Sequence, residues 1–245
     1  MWGFLHGPQH GKFQFRFDLP VDCALALQGG IADIGLVPCA ELDKLALGFL
    51  PDLGIATEGP VRSILLISKK PFGEIRTLAA DASSRTSVAL TRILLGEVYG
   101  CKPIITRMLP NLNSMLTRTD SALIIGDPAL RIDPTGLGNL YVLDLGEAWV
   151  NWSGLPMVFA VWAGKAESLG PEIAAMFRAS YAWGRERIEE MSALAEAERG
   201  FDRDLVRGYL TRNIVYELGP AHLQGLRMFR KLAAELEPIE IVAGV

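Results

Sequence analysis

Residues 81–95 read DASSRTSVALTRILL. Ser83, Ser84, Thr86 and Ser87 place four hydroxyls in a short run, Arg85 sits among them, and an apolar helical pattern follows at once. A helix start carries unpaired N–H groups and the positive end of the backbone dipole. Hydroxyl donors added there favour a carboxylate or a phosphate. Ser84, Thr86 and Ser87 are therefore candidate donors of an anion cradle. The competing reading is that Ser83 or Ser84 only caps the helix. The spaced glycines and the Gly-Lys-Ser/Thr ending of a nucleotide-phosphate loop are absent.

A second candidate is IIGDPAL, residues 124–130, where an apolar strand pattern ends at Gly126 and Asp127. Ligands in open α/β sheets collect beyond the carboxyl ends of strands. Asp127 there can bind a substrate hydroxyl or accept a proton; alternatively it caps a short segment beginning at Pro128. VPCAEL, residues 37–42, also follows a strand pattern and offers Pro38 and Cys39. No base is paired with Cys39 in the sequence, and a small core residue is the competing reading. Arg62 offers a cation for an anion or for a surface ion pair, and Trp149 and Trp152 offer either an aromatic pocket or core packing.

The elements that must position these residues alternate. Strand patterns are expected at 13–20, 32–38, 50–57, 61–70, 77–80, 103–109, 121–127 and 155–165, and at 141–149 a strand leads into a helical turn. Helical patterns fall between them at 21–30, 40–46, 83–99 and 111–118. From Pro171 the texture changes to three helical stretches, 171–198, 203–217 and 220–236. Alternating units predict an α/β fold with mostly parallel sheets and flanking helices. The strands 61–70 and 155–165 look like crossovers between two lobes. The expected division is a large lobe of residues 1–70 and 158–245, with residues 71–157 inserted as a small lobe and a cleft between them.

Composition narrows the function. Half of the 245 residues are hydrophobic and the net charge is −4; the pI is about 5.5. No basic cluster with interleaved aromatics is present, so no nucleic-acid partner is expected. No apolar run reaches bilayer length, so no membrane span is expected. The start, MWGFLHGPQH, lacks the basic, apolar and small-residue order of a secretory leader. The three cysteines are scattered and odd in number, which suits reduced thiols in a cytoplasmic protein. His6, His10 and His222 do not cluster, and no metal site is expected.

Several segments then converge on one family. IADIGLVPCAEL, TEGPVRSILLIS, SSRTSVALTRILL, ALIIGDPAL, YVLDLGEAW, GLPMVFAVWAGK and YLTRNIVYELGPAHLQGLRMF occur in this order. Together they resemble chorismate dehydratase of the futalosine route to menaquinone, over almost the whole chain. The resemblance implies a fold like type II periplasmic solute-binding proteins. It implies a hydro-lyase that converts the dicarboxylate chorismate to 3-[(1-carboxyvinyl)oxy]benzoate, with no cofactor. It places Ser84, Arg85, Thr86 and Ser87 where a substrate carboxylate should meet the helix start. Asp127 and Gly126 fall at the cleft end of a strand, and Pro38 and Cys39 on the loop that floors it. Asp127 and Ser87 are the catalytic candidates. A substrate carboxylate is a further candidate base, since no obvious catalytic His or Glu is present.

Members of the family usually begin with a strand and a loop like Tyr-Leu-Asn-x-x-Pro-Leu. MWGFLHG resembles the residues just after that loop, so the strand and its asparagine are expected to be missing here. The competing readings are 1,4-dihydroxy-6-naphthoate synthase of the same route and a non-catalytic binding protein for small anions.

Overall fold

The computed structural model describes residues 1–45, 47–81, 85–237 and 242–243. In chain order the elements are α1 (Trp2–His6), α2 (Pro20–Gln28), β1 (Ile34–Pro38), α3 (Leu42–Leu45), β2 (Gly48–Thr57) and β3 (Ile64–Ser68). Then come β4 (Thr77–Asp81), α4 (Arg85–Glu97), β5 (Ile104–Met108), α5 (Leu112–Arg118), β6 (Ser121–Ile125) and α6 (Gly126–Leu130). The remainder is β7 (Tyr141–Asp144), α7 (Leu145–Ser153), β8 (Met157–Gly164), α8 (Pro171–Arg185), α9 (Ile188–Arg199), α10 (Arg203–Gly208), β9 (Val215–Glu217), α11 (Pro220–Ala234) and β10 (Val242–Ala243).

The strands form two sheets, ordered β1-β8-β2-β9 and β10-β5-β4-β6-β3-β7. The expectation of mostly parallel pairing needs correction. In the first sheet β8 runs back between β1 and β2, and its pairings are antiparallel, as is that of β2 with β9. In the second sheet β4 pairs parallel with β5 and β6, and β10 with β5, while β3 pairs antiparallel with β6 and β7. Parallel neighbours arise where a helix carries the chain back, as α4 does between β4 and β5. The crossing strands β3 and β8 run against their neighbours. β3, from Ile64, belongs to the second sheet, and β10 pairs into that sheet as well.

Side-chain alternation builds the core. Along β3, Leu66 faces one hydrophobic cluster while Leu65 and Ile67 face another, the period of two that a strand imposes. The first cluster is continuous across both sheets. It joins Val37, Ala56 and Val161 to Leu66, Leu78 and Leu90, and it closes on Trp149 and Phe229. Trp149 is thus a core residue, its indole N–H donating to the Pro156 carbonyl at 3.3 Å. Each fully buried Leu on α4 contributes about 1.5–3 kcal/mol.

Three expected elements differ. Residues 13–20 form no strand up to Leu19, and Pro20 opens α2. The alternating Phe13 and Phe15 pack on Phe4, and Phe13 also meets Phe177 edge-on, so aromatic packing takes the place of strand pairing. The stretch 171–198 breaks between α8 and α9, where the Arg187 guanidinium folds back over the Trp183 ring and donates to its carbonyl. The stretch 203–217 is α10, a π-turn at Tyr209–Asn213 and then β9. Pairing with the open edge of β2 overrides the helical spacing there.

One connection supports a pH test. Lys70 at 2.9 Å, and the N–H groups of Arg76 and Thr77, hold the Asp120 carboxyl at about 2. Such a group contributes stability that is fully present above about pH 4 and lost as the pH falls through the folded value. Asp120→Asn is expected to flatten the rise of urea-unfolding stability across that window. An unchanged slope would show that the pair carries no pH-linked stability.

Candidate functional site

The second sheet brings two of the candidate segments to one edge. β4 and β6 are parallel neighbours, so their carboxyl ends, Asp81 and Ile125, lie at the same end of the sheet. α4 begins at Arg85, next in order after β4, and α6 at Gly126, directly after β6. The amino end of β3 and the carboxyl end of β7 meet at this edge too, with Leu65 opposite Asp144. It therefore gathers Arg85, Thr86 and Ser87 with Gly126, Asp127, Ser63 and Asp144. Ser84, like Ser83, lies outside the described residues.

α4 is positioned by burying one face. Ser87, Leu90, Thr91 and Leu94 recur at helical spacing and are all buried. The Thr91 hydroxyl donates to the Ser87 carbonyl at 2.7 Å. Thr86 and Ser87 are each only 2 % exposed. The Ala40 N–H donates to the Thr86 hydroxyl at 3.3 Å, which docks α4 on the turn after β1. On that turn Glu41 is buried, and its two carboxylate oxygens accept from Arg85 Nη1 at 3.1 Å each. Arg85 is thus committed to Glu41 in this conformation.

The loop after β1 is also closed. Pro38 is buried and Cys39 is completely so, within the first core cluster. Burial pushes the Cys39 thiol well above the ordinary cysteine range, so it stays protonated. Its side chain serves packing here. The opposite holds at the second loop, where Gly126 and Asp127 are exposed. Gly126 has φ +64°, a backbone state that favours glycine, and its N–H donates to the Ser63 carbonyl at 2.8 Å. Asp127 makes no cap on α6; it pairs with Arg199 at 3.2 Å.

Four residues that the sequence reading did not place correctly organise this edge. Asp144 accepts from the N–H groups of Val61 (2.9 Å), Arg62 (2.6 Å), Gly146 (2.9 Å) and Glu147 (3.1 Å). The spacing Asp-Leu-Gly-Glu is the signal for such a cap. Arg62 has φ +67°, uncommon for a residue with a side chain. Its guanidinium donates to the carbonyls of Ala129, Leu130 and Ile132 at the end of α6, and its charge also acts on the nearby Asp133 carboxylate. Tyr209 donates its phenol to the Ser63 hydroxyl at 3.1 Å. Nothing in the pattern around Tyr209 marks it, because its run reads as a helix.

Among the described residues, no three His, Cys, Asp or Glu side chains gather as a metal site. No helix among them is long and apolar enough to cross a membrane. A cavity of about 590 Å³ lies between the first sheet and α1, α8 and α9, lined by Phe4, Leu36, Ile55, Trp162, Tyr181 and Ile214 among others. It is mainly apolar and none of the candidate residues lines it, so the polar sheet edge is the better place for a charged ligand.

The family described as menaquinone biosynthesis matches residues 1–235. The chain belongs to that menaquinone biosynthesis family. A relative from Thermus thermophilus named chorismate dehydratase is 33% identical over 201 residues, covering 75% of this chain and 72% of its own. Among solved structures, a protein from Archaeoglobus fulgidus superposes with a TM-score of 0.68 at 16% identity, over 89% of this chain and 84% of that one. The periplasmic aliphatic sulphonate binding protein SsuA of Escherichia coli gives 0.62 at 16% identity, over 89% and 74%. This member of the menaquinone biosynthesis family therefore has a periplasmic-binding-protein-like α/β fold built on two sheets.

Proposed function

We propose that the chain is an enzyme, a hydro-lyase that removes water from chorismate to give 3-[(1-carboxyvinyl)oxy]benzoate, without a metal or organic cofactor. The observation that carries this is the Thermus thermophilus relative, which aligns with three quarters of the chain. The edge chemistry supports it. Chorismate has two carboxylates, and the start of α4 offers Thr86, Ser87 and first-turn N–H groups to one of them, with Arg85 available on its release from Glu41. Thr86 and Ser87 are buried and Thr86 is tied to the turn after β1, so admission of substrate requires the two sheets to part at this edge. Pro38 and Cys39 form the packed floor behind that turn. Gly126 and Asp127 lie open on the substrate side. Elimination yields an aromatic ring, so the site has mainly to orient the substrate and move protons. We place the protein in the cytoplasm, where the substrate is a soluble small anion.

Incubation of the purified chain with chorismate, followed by chromatography and mass spectrometry, is expected to show product lighter by one water. Chorismate binding without product would establish a binding protein. Neither binding nor product would sink the reading and favour another step of the route.

A further inference from the structure

Resting on the dehydratase reading, we propose that Tyr209 is the proton donor to the hydroxyl that leaves chorismate. Hydroxide departs poorly, so an acid placed at the departing oxygen accelerates elimination. Tyr209 opens the π-turn Tyr209–Asn213, and such irregular turns recur at functional sites. Its ring packs on the core that spans both sheets. Its hydroxyl reaches the Ser63 Oγ, while the Ser63 carbonyl holds the Gly126 N–H. Phenol, Ser63 and the Gly126–Asp127 turn thus form one connected group at the same end of the second sheet. Asn213, on the same turn, donates to the Pro60 carbonyl at 2.8 Å and fixes the turn to the crossover. Burial, and the charge of Asp127, raise the phenol while the Ser63 contact lowers it, and like an ordinary tyrosine it carries its proton at neutral pH.

The step balances without a further reactant. The C4–O bond breaks and its oxygen takes the phenol proton, leaving as water. The C3–H bond supplies the electron pair of the new double bond, and its proton passes to a carboxylate. That proton then returns to the tyrosinate, so the enzyme ends as it began. The Ser63 hydroxyl accepts from Tyr209 only until the substrate hydroxyl takes its place.

The test compares the unsubstituted chain, Tyr209→Phe and Ser63→Ala on chorismate. Tyr209→Phe is expected to lower kcat by about 100-fold or more with KM within roughly threefold. Ser63→Ala removes the same hydrogen bond but keeps the phenol, and is expected to lose less than about tenfold. Equal losses in the two variants would make Tyr209 a packing residue and overturn the proposal, as would full turnover by Tyr209→Phe. These outcomes leave the dehydratase reading standing. Absence of turnover by the unsubstituted chain removes that reading, and the proton-donor role with it.

Discussion

Asp144→Ala is expected to lower folding stability by about 3 kcal/mol, read as a melting temperature lower by roughly 10 °C. Four backbone N–H groups point at this one carboxylate. Two belong to the first turn of α7 and two to the crossover before β3. The cap alone is worth about 1 kcal/mol. The other pair holds Arg62 in its positive-φ state, and without Asp144 that strain has no counterweight. Asp144→Asn keeps one oxygen acceptor and is expected to fall between the two. A loss under about 1 kcal/mol would mean that water replaces the carboxylate and that the crossover is held by other contacts.

Ser87→Ala is expected to reduce kcat/KM for chorismate by roughly 10- to 150-fold, the value of one hydrogen bond to a charged group. Ser87 lies on the buried face of α4, so the folding readout must accompany the kinetic one. A hydroxyl lost from a packed helix face costs about 1 kcal/mol, which leaves the chain folded at room temperature. Turnover that survives Ser87→Ala would remove this hydroxyl from the anion site and leave the first-turn N–H groups as the donors.

Much of this architecture could be read from the chain. The all-apolar run ILLIS gave β3, and the hydroxyl start before VALTRILL gave α4, because buried strands and amphipathic helices each impose their own period. The edge that gathers the α4 start with Gly126 and Asp127 followed from the expected carboxyl ends of strands. Strand direction did not follow, because the return of β8 between β1 and β2 is a long-range pairing that no local pattern records. The sequence around Arg62 suits an anion or an ion pair equally, and only the fold reveals the carbonyls at the end of α6 as partners. Tyr209 was hidden because its neighbours read as a helix until β2 claims Val215 as a partner. The position of Asp127 before Pro128 suits a cap, and the structure pairs it with Arg199 instead.

The position of β8 between β1 and β2 also sets an order of assembly during synthesis. Apart from β10, the six-stranded sheet is encoded between residues 64 and 144, and its parallel core is closed by short local crossovers. It can form as soon as that stretch leaves the ribosome. β1 and β2 emerge earlier, yet they must wait with open edges until Gly164 arrives to join them. Chains rich in such distant pairings fold slowly and expose sticky edges meanwhile. The part of the molecule made first is therefore completed last, when β9 covers the remaining edge of β2, and the interval between residues 57 and 164 is when a nascent chain most needs chaperone cover.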